Sequence, residues 1–111
     1  MVTQNVDGLH LMAGTGPERL VEIHGTVKRS MCLDCGVQAP IEVVLERVHS
    51  GEVDPGCLDC DGLLKRATVS FGQALFPGDM ERAEEAARDC DLLLAVGSTP
   101  VSYTHLRAHE T

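Results

Sequence analysis

Apolar and polar positions follow one another along the chain in patterns that predict a few short strands and helices. Residues 20–23 alternate and predict a short strand that ends at His24 and Gly25. Between Pro40 and Gly51 apolar residues recur at helical spacing, with proline suited to the first turn and glycine to the end. This helix is predicted to carry an apolar stripe, formed by Ile41, Val44, Leu45 and Val48.

The strongest strand prediction lies late in the chain, at residues 91–96. A continuous apolar run bounded by polar residues is typical of a strand covered on both faces, as in a parallel sheet. Before it, Asp79 is suited to cap a helix that ends near Asp89. The inner face of that helix is predicted to hold Met80, Ala83, Ala87 and Cys90, with Cys90 as a buried structural thiol.

Weaker signals fill the remaining segments. Residues 1–8 predict a strand end or a loop, and residues 9–13 predict a single helical turn that is closed by Gly14. Residues 63–64 and 68–71 are predicted as two return strands. Together these elements favour an α/β fold.

Four cysteines form two Cys-x-x-Cys pairs, which is the most specific chemical signal in the chain. The pairs are Cys32/Cys35 and Cys57/Cys60, with 21 residues between them. A two-residue gap lets both thiolates of a pair face one centre, and two pairs complete a tetrahedron around zinc. A redox-active dithiol or a chance pattern is the alternative, and the double spacing favours zinc.

Composition narrows the class of protein. The 111 residues carry a formal net charge of −8 and include only two Phe, one Tyr and no Trp, so we expect a small, mainly aliphatic core. The negative charge argues against direct binding to nucleic acid or to anionic membranes. Paired cysteines without a secretory signal favour an intracellular, cytoplasmic protein.

Several polar residues stand where strands end, which is where α/β sheets bind ligands. His24 follows the predicted strand at 20–23, and residues 97–99 follow the predicted strand at 91–96. Alone, a strand-end histidine is more often structural than catalytic, and Gln4, Asn5 and Asp7 would be ordinary loop residues. His10 and His49 are interpreted as residues on helix surfaces.

Five motifs together resemble the sirtuins, the NAD-dependent protein-lysine deacylases. In chain order they are Thr3-Gln4-Asn5-Val6-Asp7-Gly8-Leu9-His10, His24-Gly25, the four cysteines, Val69-Ser70-Phe71-Gly72, and Leu92-Leu93-Leu94-Ala95-Val96-Gly97-Ser98. Each is weak alone, but their shared order and spacing over residues 3–99 are highly specific. The resemblance implies a Rossmann-like parallel sheet with an inserted small zinc-ribbon module.

The resemblance also implies roles for individual residues. Gln4 would hold the nicotinamide ribose of NAD, and His24 would be the general base. The carboxamide pocket would be lined by Asn5, Val6 and Asp7, and the adenosine half of NAD would be contacted by Gly97, Ser98 and Thr99. The acyl-lysine tunnel would be bordered by Val69, Phe71 and Gly72. Zinc on Cys32, Cys35, Cys57 and Cys60 would be structural.

The function implied by this resemblance is transfer of an acyl group from a protein lysine to the ADP-ribose of NAD, with release of nicotinamide. Its partners would be acyl-lysine-containing proteins or peptides. NAD-dependent mono-ADP-ribosyl transfer would use the same cofactor pocket and is the alternative within enzymes. A non-catalytic zinc-ribbon interaction module is the alternative outside them.

The expected organisation is a partial catalytic core at 1–99, with Rossmann-like parts at 1–31 and 66–99 and the zinc module at 32–65. Residues 100–111 match neither a helical stripe nor the family, and we interpret them as a non-native tail. The family's Phe-Gly-Glu is here Phe71-Gly72-Gln73, which removes one charge near the substrate groove. No glycine-rich phosphate-binding segment occurs in the sequence, so we expect this chain alone to be inactive.

Overall fold

The structure is a computed structural model that describes residues 1–97. The five strands are β1 (Val2–Thr3), β2 (Val21–Glu22), β3 (Gly25–Cys32), β4 (Gln38–Pro40) and β5 (Leu64–Thr68). The three α-helices are α1 (Leu9–Met12), α2 (Ile41–His49) and α3 (Asp79–Asp89). A single turn of 3-10 helix spans Pro17–Arg19.

The first sheet consists of β1 and β2, which pair in parallel with Val2 opposite Val21. Parallel strands need a crossover connection, and α1 together with the 3-10 turn provides it. The buried hydrophobic cluster beside this sheet contains Val21, Ile23 and Ala83, with Leu75 packed against it. Ala83 comes from α3, so this helix covers the parallel sheet.

The second sheet is antiparallel, and β3 lies between β4 and β5. Its register with β5 is interrupted, since Thr26 pairs with Ala67 whereas Ser30 pairs with Arg66. Three residues of β3 therefore lie opposite no β5 partner. Bulges of this kind redirect a strand and free backbone groups for other partners.

Helix α2 lies where the sequence predicts a helix, but its apolar stripe is largely exposed. Only Ile41 is buried, whereas Leu45 and Val48 are exposed. The helix is instead tied to the following loop by Arg47, whose Nη1 donates to the Gly56 carbonyl at 2.8 Å. The periodicity predicted the helix correctly, but among residues 1–97 no element covers its whole stripe.

Residues 92–96 are not in a strand, so the strongest strand prediction is wrong for this structure. Leu92 is 84% exposed, and Leu94 and Val96 are similarly exposed. A strand needs hydrogen-bonded neighbours, and no other segment of residues 1–97 pairs with this one. The apolar side chains of residues 92–96 favour burial, but no other segment of residues 1–97 buries them.

Two further predictions need correction. In α3 only Ala83 of the predicted inner face is buried, and Cys90 is exposed with its thiol donating to the Ala87 carbonyl. The two return strands are in fact one strand, β5, and residues 70–73 form a turn after it. Cys90 follows the last helical residue, Asp89, and lies outside the cluster that buries Ala83.

Helical boundaries elsewhere agree with the sequence. Helix α1 is followed by Gly14 at φ +102°, and α3 spans Asp79–Asp89 with Gly78 rather than Asp79 at its N-cap position. Within residues 1–97, the helices are all too short or too polar to cross a membrane.

Gly25 is the glycine that the fold constrains most strongly. Its φ is +82°, and a Cβ atom there would overlap the Ala67 carbonyl oxygen of β5. Left-handed backbone costs about 1–2 kcal/mol in a residue with a side chain, and overlap with backbone adds to it.

We therefore expect Gly25→Ala to lower the free energy of unfolding by about 3 kcal/mol or more. Gly14→Ala is the matched control, since Gly14 has φ +102° with no atom near the added Cβ, and should cost only about 1–2 kcal/mol. Chemical denaturation of both variants measures the difference. Equal losses would show that the Ala67 contact does not constrain this position.

Candidate functional site

The four paired cysteines converge on one point, as their spacing predicts. Cys32 ends β3, and the other three lie in the loops that connect the strands of the antiparallel sheet. The Sγ atoms all lie within 4.8 Å of one another, with 3.4 Å between Cys32 and Cys60 and 3.7 Å between Cys35 and Cys57. Residues far apart in sequence thus meet as one four-sulfur cluster.

Backbone N–H groups stabilise the sulfurs as thiolates. Cys32 Sγ accepts from the N–H of Cys35 at 3.4 Å and of Asp34 at 3.3 Å, and these bonds hold the pKa of the Cys32 thiol down to about 7 against desolvation. At Cys60 the Gly62 N–H favours the thiolate, but the neighbouring Cys32 sulfur and desolvation outweigh it and raise the pKa to about 12.

The cluster fits zinc. Zinc–sulfur bonds of about 2.3 Å in a tetrahedron separate neighbouring sulfurs by about 3.8 Å, close to the 3.4 and 3.7 Å found for Cys32–Cys60 and Cys35–Cys57. Cys57 Sγ also accepts from the Asp59 N–H at 3.4 Å, the same arrangement as in the first pair. Four cysteine ligands leave no open position for water, so a zinc ion here would hold the fold and not perform chemistry.

The predicted cofactor loop, residues 4–7, leaves the carboxyl end of β1. The Ile23 N–H donates to the Thr3 carbonyl at 3.0 Å, so this loop starts beside the turn that contains His24. Gln4 and Asn5 are exposed, and the Asn5 N–H donates to Thr3 Oγ1 at 3.1 Å. Parallel pairing of two short strands therefore places the two predicted segments side by side.

Two more backbone hydrogen bonds bind the loop and the His24 turn to the antiparallel sheet. The Val27 N–H, freed by the bulge in β3, donates to the Val6 carbonyl at 2.8 Å. The Val69 N–H donates to the His24 carbonyl at 2.9 Å. The residues assigned to cofactor, base and substrate contact are thus joined in one region, with His24 half-buried within it.

The predicted substrate residues lie on the turn after β5. Phe71 is fully exposed at 110%, and Gly72 has φ +78°. The turn is closed by the Gln73 N–H donating to the Ser70 carbonyl at 2.9 Å. Gln73 Oε1 accepts the Ser70 N–H and an N–H of the Lys65 ammonium, so Gln73 and Lys65 support the exposed residues.

The predicted adenosine-binding residues are not brought into this region. Gly97 is exposed at φ +73° in a bend, and Ser98 and Thr99 lie outside the described residues, as does the proposed tail at 100–111. The predicted ligand site at 97–99 rested on a strand that this structure lacks. It stays a prediction.

A separate cavity of about 330 Å³ lies beside the His24 turn and is not lined by His24, Gln4 or Asn5. Its lining includes two carboxylates, Glu22 and Asp79, that the sequence did not mark as site residues. Burial raises the pKa of Glu22, partly offset by His10, and burial likewise raises the pKa of Asp79, partly offset by Arg82. The cavity is lined by Leu11, Pro17, Leu20, Glu22, Gly25, Thr26, Arg29, Gln38, Ala67, Phe76, Asp79 and Arg82.

Sequence reasoning also missed local contacts that shape the predicted site. Oδ1 of the Asp7 carboxylate accepts the N–H of Leu9, the first residue of α1, at 3.1 Å. A side-chain oxygen of aspartate or threonine often accepts the backbone N–H two residues later, which forms a local turn. Thr3 and Asn5 have this spacing, and so do Asp7 and Leu9. No comparable local pattern marks the contact between Lys65 and Gln73.

Comparison with known proteins yields a family match over most of the chain. The family model described as the Sir2 family matches residues 1–103. An NAD-dependent protein deacetylase 2 of Streptomyces coelicolor is 44% identical over 99 residues, which cover 89% of this chain and 41% of that protein. An NAD-dependent protein deacetylase of Haloarcula marismortui is 45% identical over 100 residues, which cover 89% of this chain and 37% of that protein.

A solved structure of Sir2 with a p53 peptide and NAD+ superimposes with a TM-score of 0.72 at 32% identity. The alignment covers 87% of this chain and 39% of that one. The predicted fold class, a parallel sheet with an inserted zinc ribbon, is confirmed by this similarity and by the cysteine cluster. The chain spans about two fifths of the length of these relatives.

The assignment of the four zinc ligands can be tested by substituting one cysteine of the cluster and one outside it. We expect Cys57→Ser to reduce bound zinc from about one ion per chain to nearly none after dialysis, because three thiolates hold zinc much less well than four. Cys90→Ser is the control, since Cys90 is exposed and lies outside the cluster. Atomic absorption measures both variants, and full zinc content in Cys57→Ser would contradict this ligand set.

Proposed function

We propose that this chain, which belongs to the Sir2 family, is part of the catalytic core of an NAD-dependent protein-lysine deacylase. The observation that carries the proposal is the junction of three segments at the end of the β3/β5 pair opposite the cysteine cluster. The loop at 4–7, the His24 turn and the return segment at 69–72 are joined there by backbone hydrogen bonds. The activity proposed is that of the whole protein that contains this chain.

The roles proposed for the nicotinamide side follow from this junction. Gln4 holds the nicotinamide ribose, while Asn5, Val6 and Asp7 line the carboxamide pocket. Exposure of Gln4 and Asn5 next to the half-buried His24 supports contact with a ligand that approaches from solvent. When bound, NAD supplies an ADP-ribose group as acyl acceptor and nicotinamide as leaving group.

His24 is proposed as the general base that removes a proton from a ribose hydroxyl. An imidazole is suited to this task because histidine side chains commonly accept and release protons in general acid–base catalysis. The Val69 N–H bond to the His24 carbonyl holds the histidine backbone against the segment that borders the acyl-lysine. The base and the substrate are thus held by one short stretch of backbone.

The substrate is proposed to be an acyl-lysine within a protein or peptide, bordered by Val69, Phe71 and Gly72. In the described part of the chain β5 is an edge strand of its sheet, which supports binding of an extended peptide by strand addition. The Sir2 structure similar to this chain contains a p53 peptide and NAD+, which supports the same substrate class here. Gly97, Ser98 and Thr99 keep their proposed role at the adenosine half of NAD.

Zinc is proposed as a structural ion that holds residues 32–65 as a module between Rossmann-like parts at 1–31 and 66–99. Reduced, metal-binding cysteines support an intracellular, cytoplasmic location. NAD-dependent mono-ADP-ribosyl transfer and a non-catalytic zinc module remain as outcomes of the experiment that follows.

The test uses the whole protein and an acetyl-lysine peptide, assayed with and without NAD. We expect NAD-dependent deacetylation in the wild-type protein and a loss of turnover of about 10²–10⁴-fold in His24→Ala, because that is what a general base contributes. His49→Ala is the matched control, since His49 is exposed at the end of α2 and should leave turnover unchanged.

The outcomes distinguish the candidates. Zinc content and circular dichroism of His24→Ala should match those of the wild-type protein, which separates lost chemistry from lost fold. Transfer of labelled ADP-ribose to protein without deacetylation would favour ADP-ribosyl transfer. Absence of both activities in the wild-type protein would favour the non-catalytic module.

A further inference from the structure

The turn that carries Phe71 is held by a cation rather than by an ion pair. Lys65 on β5 directs its ammonium group to three oxygens: the Thr68 carbonyl at 2.6 Å, Ser70 Oγ at 3.0 Å and Gln73 Oε1 at 3.2 Å. An ammonium group has three N–H donors, so all of them are used. Lys65 therefore fixes both ends of the turn to the strand from which it leaves.

Gln73 completes this arrangement, which we name the lysine clasp: Lys65, Ser70 and Gln73. Its Oε1 atom also accepts the Ser70 N–H at 2.9 Å, while its own N–H donates to the Ser70 carbonyl at 2.9 Å. A single amide oxygen thus binds the strand residue and the turn together. Phe71 and Gly72 lie between these anchors and are exposed.

The clasp leaves a positive charge without a carboxylate partner. All three acceptors of Lys65 are neutral, and the ion pair found among residues 1–97, between Arg47 and Glu52, lies elsewhere. Lys65 is half-buried, so water screens its charge less than that of a fully exposed lysine. In a chain of net charge −8, Lys65 thus places a positive charge next to the Phe71 turn.

We propose that Lys65 and Gln73 determine substrate charge preference: the clasp positions the Phe71 turn and favours acyl-lysine peptides with an acidic residue beside the acyl-lysine. This inference rests on the proposed function. The neutral amide of Gln73 is essential to it, because a carboxylate at that position would accept the same hydrogen bonds and cancel the charge of Lys65. Lys65 and Gln73 are positioning and specificity residues, and neither acts in the chemical step.

The charge preference is tested with the whole protein and three acetyl-lysine peptides that carry Asp, Asn or Lys beside the acetyl-lysine. We expect kcat/KM for the Asp peptide to exceed that for the Lys peptide by roughly threefold to tenfold at low ionic strength, mainly through KM. The ratio should fall towards one in about 0.5 M salt, where surface charges are screened.

Two variants separate charge from structure. Gln73→Glu keeps the acceptor oxygen and should bring the Asp-to-Lys ratio to about one or below. The uncharged Asn peptide measures any loss of activity that is common to all three peptides. Lys65→Arg keeps the charge and should keep the preference. An active Gln73→Glu variant with the wild-type preference would overturn the inference and leave the proposed function intact.

Positioning is tested independently of activity by amide hydrogen exchange. Lys65→Met should accelerate exchange at the Ser70 and Gln73 amides by roughly tenfold, since it removes the donor that anchors the turn. Arg66→Met is the matched control, because it removes the same charge from an exposed neighbour on β5 and should leave this exchange unchanged.

Each remaining outcome is decisive. Unchanged exchange in Lys65→Met would overturn the clasp, and equal use of the three peptides by an active wild-type protein would overturn the preference. No turnover of any peptide by the wild-type protein would overturn the proposed function and the preference with it. The inference would be supported if amide exchange is faster in Lys65→Met but not in Arg66→Met, and if Gln73→Glu lowers the Asp-to-Lys ratio.

Discussion

Convergence of four cysteine sulfurs is the constraint on which the described part of this chain depends. The hydrophobic cluster contains only Val21, Ile23 and Ala83 as buried members, which is a small core for residues that belong to two sheets. Small domains with such cores commonly rely on a metal or on disulfides. Here a zinc ion on the cluster would hold together the loops at one end of the antiparallel sheet, where Cys32 lies opposite Leu64.

This sheet also connects the cysteine cluster to the candidate active site. Strand β3 begins at Gly25, directly after His24, and ends at Cys32, one of the four cysteines. Strand β5 runs back from Leu64, opposite Cys32, to Thr68, opposite Gly25. One antiparallel pair therefore links the sulfur cluster to the histidine turn, and a change at either end is expected to affect the other through the strand register.

Irregularities in this pair bring the other segments into place. The bulge in β3 frees the Val27 N–H for the loop at 4–7, and the positive φ of Gly25 allows β3 to approach Ala67 closely. Beyond β5, the lysine clasp fixes the turn that carries Phe71. The regular strands form the sheet, whereas the irregular backbone at Gly25 and Val27 and the side chain of Gln73 position the loops near the site.

Local patterns in the sequence determined the elements that depend on neighbours close in the chain. The cysteine spacing predicted the cluster, because the short loop of each Cys-x-x-Cys pair turns both of its thiols toward one point. Helices α2 and α3 were predicted because their periodicity is local. The motifs also predicted that residues 4–7, His24 and residues 69–72 would lie together, and backbone hydrogen bonds join these three segments.

Tertiary structure alone decided what covers each apolar surface and which backbone groups pair. Periodicity could not tell that residues 92–96 would lie unpaired, that Leu45 and Val48 would be exposed, or that Cys90 would face solvent. It also could not reveal the bulge at Val27 or the contact between Lys65 and Gln73. The physical reason is that burial and strand pairing need a second surface, and a one-dimensional pattern specifies the preference of a segment without specifying its partner.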